Sequence, residues 1–141
     1  VPALRKKAVL MYFMDRGQKP APVAPDVAVI VDEFMELKWR MLDAMESQVY
    51  EWLPWHAGRL GEVPQDAEKR LAWLKTFWTP HFDAFTAKGR AALGAAYGEE
   101  AAKAARYAEL FELSEYGHQP SADELAALFP FVPRGAKEKV S

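Results

Sequence analysis

With 141 residues, of which 50% are hydrophobic and 13% aromatic, the chain can build one compact domain or a large part of one. A formal charge of -2 supplies neither a basic field for nucleic-acid backbones nor a polybasic membrane anchor, so neither partner is expected. The absence of cysteine excludes disulfide scaffolds, thiolate metal sites and cysteine nucleophiles together.

After a basic start at Arg5, Lys6 and Lys7, the run Ala8-Val9-Leu10-Met11-Tyr12-Phe13-Met14 lacks polar alternation and reads as a buried strand. The loop Asp15-Arg16-Gly17-Gln18-Lys19-Pro20, continued by Ala21-Pro22-Val23-Ala24-Pro25, is rich in charge and proline. As a surface turn it lets Gly17 take an unusual dihedral and pairs Asp15 with Arg16 or Lys19. At the carboxyl end of a strand it is also where open α/β sheets place ligand contacts. A second buried strand, Val27-Ala28-Val29-Ile30-Val31, is mostly β-branched and is stopped by Asp32. That carboxylate opens a helix, with Glu33 and Glu36 at the positive end of its dipole. Phe34, Leu37, Met41, Met45, Val49 and Trp52 follow at three- and four-residue steps, widened by Met35, Trp39 and Leu42. The spacing predicts a core helix ended by Pro54.

Residues 54–64, with Trp55 and His56, read as an irregular connection. A helix is predicted from Gln65 to Trp78, and Thr79-Pro80 reads as the cap and first position of another segment carrying Phe82, Phe85 and Leu93. From Glu99 to Tyr116, Glu99 and Lys103 share one face and Ala104, Tyr107, Ala108, Phe111 and Ser114 another, which predicts a helix closed by Gly117 as a left-handed cap. Ser121 and Glu124 have the spacing of a capping box for a short helix through Leu125 and Leu128. Phe129-Pro130-Phe131-Val132-Pro133 ends the ordered chain, and 134–141 is a polar tail expected to fray.

No two of His56, His81 and His118 stand three or four positions apart, so no helix face presents a two-histidine metal pair. His118 reads as a surface residue after a helix, His56 as an edge packer among tryptophans. No Gly-x-Ser-x-Gly elbow and no glycine-rich phosphate loop occurs. Ser47 has no histidine within readable range and reads as a helix-surface or packing hydroxyl. The helical spacing of Trp39, Trp52, Trp55, Trp73 and Trp78 favours core packing over a sugar-binding wall. Two strands alone leave open edges and do not make an independently stable sheet.

The stretches YFMDRGQKP (12–20), PDVAVIVDEFMELKWRMLDAMESQVYEWLPW (25–55) and RYAELFELSEYGHQPSADELAALFPF (106–131) resemble, in that order, the carboxyl-terminal part of the PIG-L/LmbE family. The likeness is greatest to a bacterial group with a lysine (Lys38) followed by a Ser-Gln pair (Ser47-Gln48) on the helix after a Pro-Asp-Val strand. Many members have a histidine two residues before that serine; this sequence has Met45. Family members are zinc-dependent deacetylases that remove the N-acetyl group of amino-sugar substrates. The resemblance implies a Rossmann-like domain whose His-Pro-Asp-Asp and His-x-x-His motifs supply the zinc ligands and the aspartate base. A metal-bound water would then attack the acetamide carbonyl while a carboxylate moves the proton. Neither motif occurs in these 141 residues, so no catalytic residue, metal ligand or cofactor is expected in this chain itself.

The expected architecture is therefore α/β tending to mostly α: two buried strands of an incomplete Rossmann-like sheet followed by about four to five helices. It forms a single partial domain over 1–133. Asp15, Arg16 and Lys19 are the residues expected to touch substrate, because they follow a strand where the pocket rim would lie and can hydrogen-bond sugar hydroxyls. The expected partner is the amino-terminal half of the same enzyme or a companion chain, with self-association through strand edges. No apolar run approaches the ~20 residues that span a bilayer. The chain starts at Val1 without a signal-peptide layout, so a cytoplasmic location and a start that is not the native one are expected. The competing expectation is a non-catalytic interaction module that presents an exposed sheet edge and an aromatic surface to a partner chain.

Overall fold

The computed structural model describes residues 5–17 and 21–133, which divide into one unit of the segments through Ile30 and from Phe85 onward, and another over Val31–Ala84. Lys19 and the tail 134–141 lie outside the described residues. In chain order the elements are β1 (Met11–Phe13), β2 (Val27–Ile30), α1 (Met35–Asp43), α2 (Leu53–His56), α3 (Ala67–Lys88), α4 (Arg90–Tyr97), α5 (Glu99–Ala104), β3 (Ala108–Leu113) and α6 (Ala122–Leu128). Short 3-10 turns precede α1 at Asp32–Phe34 and α3 at Leu60–Glu62, and a π-helical stretch covers Ser47–Trp52. The chain is mixed α/β, mostly helical, with one small antiparallel sheet among the described residues.

That sheet has the order β1-β3-β2, with β3 antiparallel to both neighbours. The predicted helix over Glu99–Tyr116 is thus helix only as far as Ala104. Ala-Glu-Leu-Phe-Glu-Leu at 108–113 also carries a period of two, and the strand buries Ala108 and Leu110 on one face. Tertiary context decides between the two periods. Among the described residues β1 and β2 each pair with β3, and the Arg90 guanidinium donates to the Ala102 and Ala105 carbonyls at the end of α5.

The expectation of two buried strands is not met: in β2 Val27 and Ala28 are buried but Val29 and Ile30 only half-buried, and β1 is largely exposed. β1 is a three-residue edge with Tyr12 and Phe13 exposed. Residues 8–10 prolong its pairing: Ser114 N–H donates to the Leu10 carbonyl (2.9 Å) and His118 N–H to the Ala8 carbonyl (2.8 Å). Gly117 is no left-handed cap. A Cβ there would stand 2.7 Å from the Leu10 nitrogen, so glycine serves the close approach of two backbones. Among the described residues of this unit, the glycine with positive φ is Gly98 (φ 84), between α4 and α5.

Leu93, Leu110, Ala28, Ala102, Ala105, Ala108 and Met14 form the core of the first unit. Gly89, between α3 and α4, lies so near the Leu110 side chain that any Cβ would collide with it. The buried Thr86 hydroxyl accepts from the Ala108 N–H (3.0 Å), which ties the end of α3 to the first residue of β3.

In the second unit α3 runs straight through Pro80 rather than restarting there. An internal proline costs about 3 kcal/mol. Ring stacks at four-residue spacing span it, Phe77 on His81 and Trp78 on Phe82, and Trp39 meets Phe82 edge-on at 5.2 Å. Such contacts contribute about 0.5–1.5 kcal/mol each beyond their burial, enough together to offset the proline. Pro54 likewise does not end a helix but occupies the first turn of α2, where no N–H is needed.

The face of α1 predicted to be core is largely in solvent. Met35 and Trp39 are buried, while Phe34, Leu37, Met41 and Met45 are exposed. The helix breaks after Asp43 and resumes in π-helical form, so the 3.6-residue register that joined Met41 to Val49 and Trp52 does not persist. Val49 and Tyr50 then pack with Leu74 as the second core, and Trp52 and Trp55 are exposed.

Candidate functional site

The loop after β1 leaves the sheet at Met14, a buried residue whose N–H donates to the Leu110 carbonyl (3.2 Å). Asp15 and Arg16 follow in solvent. The Asp15 carboxylate accepts from the Gly17 N–H (2.6 Å), an Asx turn that fixes its direction. Asp15 and Arg16 therefore lie at the exposed end of a strand, and Lys19, the third residue expected to touch substrate, lies outside the described residues.

Beside that loop, the sheet carries apolar hollows. A groove of about 430 Å³ runs over Val9, Met11, Phe13, Phe111, Leu128 and Phe129. A smaller cavity of about 190 Å³ includes Asp26, Ala28, Ala96, Leu125 and Phe129 in its wall. Phe111 stands between Phe13 (5.6 Å) and Phe129 (5.8 Å), so one aromatic row joins β1, β3 and the end of α6. Asp26 is structural: its Oδ2 accepts from the Leu113 N–H at 2.7 Å. These hollows offer shape and apolar area, with few groups able to do chemistry.

Polar chemistry gathers in the second unit, in a basin of about 340 Å³ lined by Glu46, Tyr50, Glu51, Leu60, Val63 and Arg70. The Tyr50 hydroxyl donates to Asp43 at 2.5 Å, and the Arg70 guanidinium lies 4.8 Å above the Tyr50 ring and 3.8 Å from Glu46. Burial first, then the hydrogen bond to Asp43, pushes the Tyr50 hydroxyl well above its ordinary 10.0. A phenol so held keeps its proton, which suits it to anchoring rather than to nucleophilic or acid catalysis. Sequence reasoning missed this pair, although Asp43 and Tyr50 are seven positions apart in a helical pattern and so fall on one face.

His118 is exposed and meets Glu124 at 3.3 Å. His56 stacks on Trp52 with rings 5.7 Å apart, the edge packing expected for it. Among the described residues no group of three histidine, aspartate or glutamate side chains is placed to hold a metal ion, so the described residues do not fit a zinc centre. No helix of the described residues is long and apolar enough to cross a membrane. Comparison of the chain with family models, curated proteins and solved structures finds no match.

Proposed function

We propose that this chain is the carboxyl-terminal part of a PIG-L-like deacetylase, a zinc-dependent enzyme that hydrolyses the N-acetyl group of an amino-sugar substrate. The observation that carries this reading is where the three resembling stretches fall. Residues 106–131 lie far along the chain from the neighbouring stretches 12–20 and 25–55, yet the three stretches each contribute to a different strand of the same sheet. In this reading the sheet is one margin of a larger Rossmann-like sheet, and its open edges are where further strands join. The zinc ligands and the base belong to another part of the enzyme, and no step of the hydrolysis falls to a residue of this chain. Asp15, Arg16 and Lys19 serve at the pocket rim, hydrogen-bonding sugar hydroxyls.

The test is acetate release from N-acetylglucosaminyl substrates by the complete native gene product, with and without added zinc. Zinc-dependent release is expected, and no release with zinc bound would contradict the reading. In the active enzyme, replacing Asp15, Arg16 and Lys19 together by alanine should raise KM while kcat is retained. Kinetics unchanged by that triple substitution would remove the rim role.

A second reading has its own observation. Phe13 on the edge strand is 55% exposed and borders the apolar groove, as in a module that adds a partner's strand to its sheet. Binding of an extended peptide along β1, by a gene product that releases no acetate, would favour it.

A further inference from the structure

In the second unit, α1 and the 3-10 turn that leads into it present an apolar stripe to solvent. Phe34, Leu37 and Met41 are 51%, 49% and 60% exposed and fall at steps of three and four residues, the spacing of a helix-pairing seam. Along one flank of this stripe stand Glu33 and Arg40, seven positions apart and both exposed. Neither Glu33, in the 3-10 turn, nor Arg40, on α1, has an ion-pair partner among the described residues, whereas Glu36 on α1 is held by Lys75 at 2.9 Å. Opposite charges two turns apart on one flank are self-complementary only when the helix meets a reversed copy of itself.

We propose that this face of α1 is where a second copy of the chain docks, helix against helix and antiparallel, about a two-fold axis near Leu37. With the axis there, Leu37 packs on its symmetry mate and Phe34 lies on Met41 of the second copy. Glu33 comes within one or two residues of the level of Arg40 of the second copy, so each dimer closes two equivalent ion pairs. In a parallel pair these same-flank charges fall on opposite sides of the seam and do not meet, so only the antiparallel arrangement gains the two ion pairs. The contact is short and buries less than the roughly 1,200 Å² of a standard interface, so the dimer is weak and concentration-dependent. The inference rests on the second unit alone and does not depend on the deacetylase reading.

The experiment is sedimentation velocity of the full chain over a concentration series, with far-UV circular dichroism to confirm that each variant is folded. A reversible monomer–dimer equilibrium is expected, abolished by Met41→Glu. Glu33→Lys and Arg40→Glu should each weaken self-association about fivefold, the loss of two exposed ion pairs. The double variant Glu33→Lys/Arg40→Glu should restore it. A folded chain that stays monomeric at roughly millimolar concentration overturns the proposal, as does a dimer indifferent to Met41→Glu or a double variant no tighter than the singles. Monomeric behaviour of this chain with the stripe covered by another segment of a larger gene product overturns it equally.

Discussion

Leu110 and Thr86 hold the first unit by opposite means. Leu110 is a fully buried side chain on the central strand, packed where Gly89 gives it room. Leu110→Ala should lower stability by about 3 kcal/mol, and Gly89→Ala, which overfills the same spot, by about 1–3 kcal/mol, both read by chemical denaturation. Thr86 contributes one buried hydrogen bond to Ala108, so Thr86→Val orphans a backbone N–H and should cost about 1–3 kcal/mol, while Thr86→Ser retains most of the stability. Tyr50 gives a pH prediction. Its proton is held above the ordinary tyrosine range by burial and by Asp43, so its contribution is complete below that range and lost as pH rises through the raised value. An ultraviolet titration should show a late phenolate step that Tyr50→Phe removes. Such residues were hard to read from the sequence because their partners, Gly89 with Leu110 and Thr86 with Ala108, sit 21 and 22 positions away with no spacing rule to join them.

At the scale of elements, what local chemistry specifies was legible. The capping box of α6 forms as its sequence predicts: the Ser121 hydroxyl accepts from the Glu124 N–H and the Glu124 carboxylate from the Ser121 N–H. Ser121→Ala should cost about 1 kcal/mol. The Ser121 N–H first, and His118 second, hold the Glu124 carboxyl below the usual carboxylate range. Its support for α6 is therefore present above that range and is lost as pH falls through the depressed value. Following the Ser121 amide by NMR should reveal this transition, and Glu124→Gln should abolish it. Elements set by distant contacts were misread. Residues 108–113 suit either period until β1 and β2 are there to pair with, and Pro80 stops a helix only where ring stacks do not bridge it. The exposed seam of α1 belongs to the same class, since hydrophobic spacing shows that a face will be covered and not by what.

For the whole molecule, the sequence made the mixed α/β class legible, together with the strand at Val27–Ile30 and the small helix at the end of the described chain. It did not disclose the central strand, nor that the described residues fall into two units. The loop after β1 was legible as a charged turn at the end of a strand, with Asp15 and Arg16 exposed there; their contact with substrate is part of the proposed function. Under the proposed function this chain belongs to a zinc deacetylase whose reaction centre lies elsewhere in the same enzyme. Intact mass measured together with zinc content, on the native gene product purified without added metal, tests it most directly. A mass well above that of these 141 residues, with about one zinc per chain, is the predicted result. A mass matching these residues alone, with no zinc and no companion chain, would contradict it.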